Sequence, residues 1–316
     1  MSLPTVSIVI PTYERPRQLA LCLNALSALE YPRDRYQVIA VNDGSPKTTG
    51  IGKQLKQAFP HFELIHRPHG GPAAARNAGA SAAEGEIIAF TDDDCLPEKN
   101  WLLEITDAVS GSPQSLVGGK IVNILSGNVF ATASQLLIDF LYERCETSRA
   151  MQFFCASNLA CRLDAFQQLG GFSEAFPIAA AEDRDFCRRW IKAGGALTYE
   201  PNAVVNHAHH MTARHFWKQH VNYGKGAFIF HDRYARDNGS HIKFERIKFY
   251  ADLVCYPWQT VEENKLQLTA LMLEAQLACA SGFMTELLKL VFAPAKPLSS
   301  IRAIESDAPT LQASDH

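Results

Sequence analysis

The chain has 316 residues, 47% of them hydrophobic and 20% charged, which suits one large α/β domain or two smaller ones with a sizeable core. A net charge of −3 leaves no electrostatic footprint for nucleic acid. The eight cysteines are scattered with no Cys-x-x-Cys pair, as expected of a reduced, cytosolic compartment, and neither a secretory leader nor an uncharged apolar run of about 20 residues stands out.

In chain order, residues 6–10 form a predicted strand that ends at Pro11, and Pro11-Thr-Tyr-Glu-Arg15 follows as a loop. Pro16 opens a helix whose apolar face runs through Leu19, Leu23 and Leu26. A second strand at 38–41 closes in Asn42-Asp43-Gly44-Ser45, and a helix is expected over 52–58. A third strand at 62–65 precedes Gly70-Gly71-Pro72 and an alanine-rich helix over 73–83. The fourth strand, 87–90, runs into Thr91-Asp92-Asp93-Asp94. This β-α-β-α-β-α-β order predicts a mostly parallel sheet with helices on both faces.

Three adjacent carboxylates at a strand end repel one another unless a cation or hydrogen-bond donors offset them. Ligands of open α/β sheets bind beyond the carboxyl ends of the strands, where such a cluster suits a hard divalent cation shared with phosphate oxygens. The competing reading is a solvated turn capping a helix over 97–109. The first, second and fourth strands all end in polar groups, so their loops converge on one pocket. Thr12, Tyr13 and Glu14 are placed to hold a base, Asp43 to accept from an N–H or hydroxyl, and Arg76 and Asn77 to reach a phosphate or the pocket floor. Neither G-x-G-x-x-G nor G-x-x-x-x-G-K-[ST] occurs, which argues against a dinucleotide fold and a P-loop.

Val6-Ser-Ile-Val-Ile-Pro-Thr-Tyr, Val41-Asn-Asp-Gly-Ser, Gly71-Pro-Ala-Ala-Ala-Arg-Asn-Ala-Gly79 and Phe90-Thr-Asp-Asp-Asp together resemble the family 2 glycosyltransferases of the GT-A fold. The resemblance continues through Asn158-Leu-Ala-Cys-Arg, Leu169-Gly-Gly-Phe172, Glu182-Asp183-Arg-Asp185 and Val205-Asn-His207, covering about residues 5–226. It implies that Pro11, Thr12, Tyr13, Glu14 and Asp43 surround a base, uracil for preference, and its ribose, with Arg76 supporting them. It maps the family's D-x-D motif onto Asp92 and Asp94: Asp92 toward the ribose or sugar, Asp94 on Mg²⁺ or Mn²⁺ at the diphosphate, with Asp93 as an extra charge between them.

An attacking hydroxyl needs a base to take its proton, and one base on the far face gives inversion. The resemblance assigns that base to Asp183, with Glu182 orienting the acceptor or the helix start and Asp185 either binding substrate or serving the structure. The local alternative is an acidic first turn of a helix over 183–194. His207 is the preferred third metal ligand and His209 the second choice, against a plain capping histidine. Tyr223-Gly-Lys-Gly226 is expected as a lid over the diphosphate, with Lys225 beside it. Gln219-His-Val-Asn-Tyr223 departs from the Q-x-x-R-W of processive members, which favours single-sugar transfer.

The expected organisation is a catalytic domain over 1–226, with a nucleotide-binding half to about 120 and an acceptor half beyond it. A helical extension over 227–297 and a mobile tail over 298–316 follow. Helices at 244–256 and 266–291 are expected to pack on the catalytic domain, pair two subunits or lie on the inner face of a membrane. The acceptor is a glycan, a lipid-linked sugar or a small-molecule hydroxyl. The rival functions are a non-catalytic nucleotide-sugar scaffold and a sugar nucleotidyltransferase, the latter lacking its glycine-rich loop after the first strand.

Overall fold

Runs of β-branched residues alternating with amphipathic helices build the N-terminal sheet as the pattern predicts. In the computed structural model, residues 3–46, 59–147, 153–176, 179–237, 239, 241–242 and 245–292 are described; the helix expected at 52–58 and the tail lie outside them. Strand β1 (Val6–Thr12) pairs in parallel with β2 (Tyr36–Asp43) and β4 (Ile87–Thr91), and β2 pairs in parallel with β3 (Phe62–Arg67). Helix α1 (Pro16–Ser27) starts on a proline, whose missing N–H costs nothing there, and buries Leu19, Cys22, Leu23 and Leu26 against Ile8, Ile10 and Val38. Helix α2 (Pro72–Ser81) covers the other face over Val9, Ile39 and Val41. It lies close because Gly79 has no side chain: a Cβ there would stand 2.4 Å from Val9.

Beyond β4 the sheet changes direction. With β5 (Cys95–Pro97), β6 (Ser115–Asn123), β7 (Asn158–Arg162) and β8 (Ala196–His207), the strand order is β3-β2-β1-β4-β7-β6-β8-β5. Strand β7 runs antiparallel to β4 and to β6, and β6 runs parallel to β8. Asn158 is fully buried and holds this junction: its Oδ1 accepts from Trp101 Nε1 at 2.9 Å, and its Nδ2 donates to the Lys120 and Ala203 carbonyls at 2.9 Å each. Strand β5 (Cys95–Pro97) pairs antiparallel with the end of β8, Cys95 opposite His207.

That last pairing corrects the helix expected over 97–109. Residues 95–97 join the sheet, and helix α3 begins only at Trp101 and runs to Gly111. Asp94 is therefore not a helix cap; its carbonyl accepts from the Ala208 N–H at 2.9 Å, which ties it to the strand carrying His207.

Helices α4 (Val129–Thr147), α5 (Leu163–Gln168), α6 (Glu182–Lys192), α7 (Ala213–Asp237), α8 (Ile247–Cys255), α9 (Pro257–Thr260) and α10 (Lys265–Val291) complete the described fold. The 223–226 stretch is not a lid. It lies inside α7, where a Cβ on Gly224 would stand 1.9 Å from the Cys279 carbonyl oxygen of α10. Reciprocally, a Cβ on Gly282 would stand 1.9 Å from the Val221 carbonyl oxygen. The two helices thus cross backbone against backbone. By length and composition α10 could cross a membrane, yet Leu268, Leu271, Met272, Ala275, Ala278 and Gly282 are buried in the fold.

Gly282→Val should lower the stability measured by urea unfolding by about 1–3 kcal/mol, because neither backbone can retreat without opening the core. Gly111→Ala, with nothing within 4 Å of the added carbon, should instead be neutral or raise stability by about 0.5–1 kcal/mol.

Candidate active site

The end of β4 and the start of α6 meet at Arg76 of α2. Its guanidinium is buried and forked: Nη2 donates to Asp92 Oδ1 at 2.7 Å and Nη1 to Glu182 Oε1 at 3.0 Å. Its Nε is buried without a partner, one of two such side-chain atoms among the described residues. Arg76 also lines the site cavity.

The three aspartates have three different environments. Asp92 is half-buried, pairs with Arg76 and lines the cavity. Asp93 is buried, accepts the Thr12 hydroxyl at 2.7 Å and faces Arg15 at 3.3 Å. Burial pushes its carboxyl up to about 7 against the opposing charge of Arg15. Asp94 accepts from Arg15 at 2.8 Å and lies 3.3 Å from His207 Nε2. Burial alone would raise its pKa, but the hydrogen bond and charge of His207, with Arg15, hold it well below the usual carboxylate range. His207 is raised in turn, the pull of Asp94 outweighing burial.

Asp94, His207 and His209 offer ligand atoms that all lie within 4.8 Å of one another. Burial lowers His209 to about 4, so its imidazole is neutral at physiological pH, the form that ligates. One carboxylate oxygen and two imidazole nitrogens form a donor set that could hold a divalent transition cation. The rest of the histidine-rich stretch is elsewhere: His220 is buried and bonded to the Phe216 carbonyl, while His210 and His215 are exposed.

Asp183 and Glu182 occupy the first turn of α6, entered through Ala181 in the left-handed region at φ 69°. A non-glycine residue there is strained and is held by its surroundings. Gly226 of α7 presses on this entry, since a Cβ on it would stand 2.6 Å from Ala180. Asp183 is half-buried and lines the cavity. Burial raises its pKa, with the Arg184 N–H at 2.7 Å and the charge of Arg76 working the other way. Glu182 is raised to about 7 by burial and by the neighbouring Asp183 charge. Asp185 does not join them. It is fully buried, taking Arg189 Nε at 2.7 Å, and is absent from the cavity wall.

Of the predicted base-binding residues, Asp43 is buried, its carboxylate accepts from Arg67 at 2.5 Å and from the Gly70 and Gly71 amides, and His69 Nδ1 lies 2.8 Å from it. It shapes the turn into α2, where Gly71 sits at φ 89°. Tyr13 is exposed and packs on His69 with ring centroids 4.5 Å apart. Pro11 is half-buried at the end of β1, Thr12 is committed to Asp93, and Glu14 is exposed at φ 56°. These residues form a separate cluster at the strand ends and do not line the cavity.

The cavity encloses about 960 Å³ between the aspartates, α6 and the C-terminal helices. Sequence reasoning missed Arg15, the cation that holds Asp93 and Asp94 together, because a loop arginine before a proline carries no pattern. It also ranked His209 second, although its spacing of two residues from His207 on an extended segment was a usable signal.

The family model described as glycosyl transferase family 2 matches residues 7–170. The chain is 31% identical over 209 residues to glycosyltransferase AglE of Haloferax volcanii, a match spanning 65% of this chain and 67% of that protein. It is also 31% identical over 228 residues to the pre-mycofactocin glycosyltransferase of Mycobacterium tuberculosis, spanning 70% of this chain but only 46% of that relative. Among solved structures, the mannosyltransferase PcManGT of Pyrobaculum calidifontis, in complex with GDP-Man and Mn²⁺, matches with a TM-score of 0.60. The identity is 19%, with 93% of this chain and 82% of that one covered, a likeness of fold. The architecture is the GT-A one, as the motifs imply.

Arg76→Met should cost about 3–5 kcal/mol in urea unfolding at pH 8, since it strands two carboxylates at once. Glu182 has a raised pKa, so it takes up a proton as the pH falls through about 7. The same variant should therefore lose less stability, relative to wild type, at pH 5.

Proposed function

This chain belongs to glycosyl transferase family 2, and we propose on that footing that it moves one sugar from a nucleoside-diphosphate donor to an acceptor hydroxyl with inversion. The observation that carries this reading is that His207 and His209 of the candidate metal cluster and Asp183 line one cavity. A leaving diphosphate and an attacking hydroxyl need those two capacities on opposite sides of one sugar.

Asp183 takes the acceptor proton as the hydroxyl oxygen forms its bond to the anomeric carbon. The bond from that carbon to the diphosphate oxygen breaks, and its electron pair leaves with the nucleoside diphosphate. Burial makes Asp183 a stronger base than an exposed carboxylate. Glu182 is held by Arg76, which leaves Asp183 the carboxylate free to work, and Glu182 fixes the helix start that aims it. Asp92, on the other arm of Arg76, faces the ribose or sugar. Asp94, His207 and His209 would hold a divalent cation, Mn²⁺ for preference, which when bound neutralises charge on the diphosphate. Base and ribose lie over Pro11, Thr12, Tyr13, Glu14 and Asp43, where the Tyr13–His69 pair offers a stacking surface. Uracil is the expected base. Asp93 acts by fixing Thr12 and Arg15 around the metal-side aspartate.

Asp183→Asn should keep nucleotide binding and lower the single-turnover transfer rate by about 10²–10⁴-fold. Its unfolding midpoint should stay or rise, because a buried charge has gone. Transfer near wild-type level would overturn the base assignment. Calorimetric titration with UDP and GDP, each with Mn²⁺, Mg²⁺ or EDTA, should show metal-dependent binding that is tightest with Mn²⁺. His209→Ala should reduce that metal dependence; unchanged titrations would remove His209 from the ligand set.

A further inference from the structure

The cavity continues past the reacting groups into a wall of alkyl and aromatic side chains. Leu137 and Ile138 of α4, Leu253 of α8, and Leu277, Phe283 and Met284 of α10 line it, in the same space as Glu182 and Asp183. The ribose, diphosphate and sugar of a donor gain nothing from such a wall. Gln135, Gln219 and Gln276 also line the cavity, but the wall is mostly apolar, which suits an alkyl chain better than a glycan.

The wall opens onto a second apolar surface. On α10, Leu266, Leu273, Leu277, Met284, Leu288 and Val291 are exposed. They recur at intervals of seven, four, seven, four and three residues, which at 100° per residue places them in one narrow stripe. The buried Leu268, Leu271, Met272, Ala275, Ala278 and Gly282 occupy the opposite face. Leu273, Leu277 and Met284 belong both to the stripe and to the cavity lining, so wall and stripe form one continuous apolar surface. Since α10 is fixed to α7 by the glycine crossing, only its outer face is available to a bilayer, in the manner of an interfacial helix.

We propose that the acceptor is a lipid: a hydroxyl-bearing head group at Asp183 on a long hydrocarbon chain that follows the α10 wall to a membrane surface under the stripe. The inference rests on the transferase reading above and names its acceptor class. Continuity between wall and stripe favours a lipid over a second copy of the chain, because a dimer built on the stripe would close the mouth through which the acceptor enters.

The test uses the full chain with alkyl β-D-glucosides from hexyl to nonyl, all below their micelle concentrations, in equilibrium dialysis with UDP and Mn²⁺ present. Each added methylene that enters the wall should tighten binding by about fourfold, the increment for burying one CH₂. The double variant Leu277→Glu, Met284→Glu alters positions that are 66% and 47% exposed, so the fold should tolerate it. It should flatten the chain-length series while leaving UDP binding unchanged. Binding that ignores chain length, with UDP still bound, would overturn the lipid assignment and leave the transferase reading standing. A concentration-dependent dimer in light scattering that the double variant dissociates, with no chain-length series, would assign the stripe to a second copy and equally overturn it. Loss of UDP binding by the wild-type chain would sink the underlying transferase reading itself.

Discussion

One buried guanidinium ties the two acidic clusters of the candidate site together. Arg76 stands between Asp92, at the end of a parallel strand, and Glu182, at the start of a helix 106 residues later in the chain. A buried ion pair is an unreliable source of net stability, since desolvation offsets much of the attraction, but breaking one is costly. Its value here is registry. With both arms engaged, the strand that carries the aspartates and the helix that carries Asp183 cannot slide independently, and the spacing between the two acidic clusters is held.

The same logic disperses the charge of the three aspartates. Neighbouring carboxylates in one turn are tolerated because each has its own partner: Arg76 for Asp92, the Thr12 hydroxyl for Asp93, and His207 with Arg15 for Asp94. Strand β5 is the device that makes this possible. By pairing with the end of β8 it brings a histidine from residue 207 beside a carboxylate at 94, a contact that no local preference would produce.

What was legible in the sequence was what is local. Parallel strands announce themselves by short apolar runs, their ends by polar turns, and the motifs at those ends mark the site. The failures share a cause. Residues 95–97 looked like the entry to a helix because an acidic turn followed by proline is a good helix start; long-range pairing with β8 overrode it. For Asp185 the sequence left a structural and a substrate-binding role open; two residues along a helix turn a side chain to the far side, and it is buried against Arg189. Gly224 and Gly226 suggested mobility, but their missing side chains serve close approach, to α10 and to Ala180. Arg15 had no signal because its partners are 78 and 79 residues away.

The backbone-to-backbone crossing of α7 and α10 has a consequence for how such a protein can diverge. A helix docked by main-chain contact along one face draws little of its anchorage from the residues on the other. The outward positions of α10 are therefore free to drift while the scaffold that aligns Asp183 with Asp94 stays untouched. Substitutions can accumulate at those positions one at a time, with the arrangement of the candidate site inherited whole.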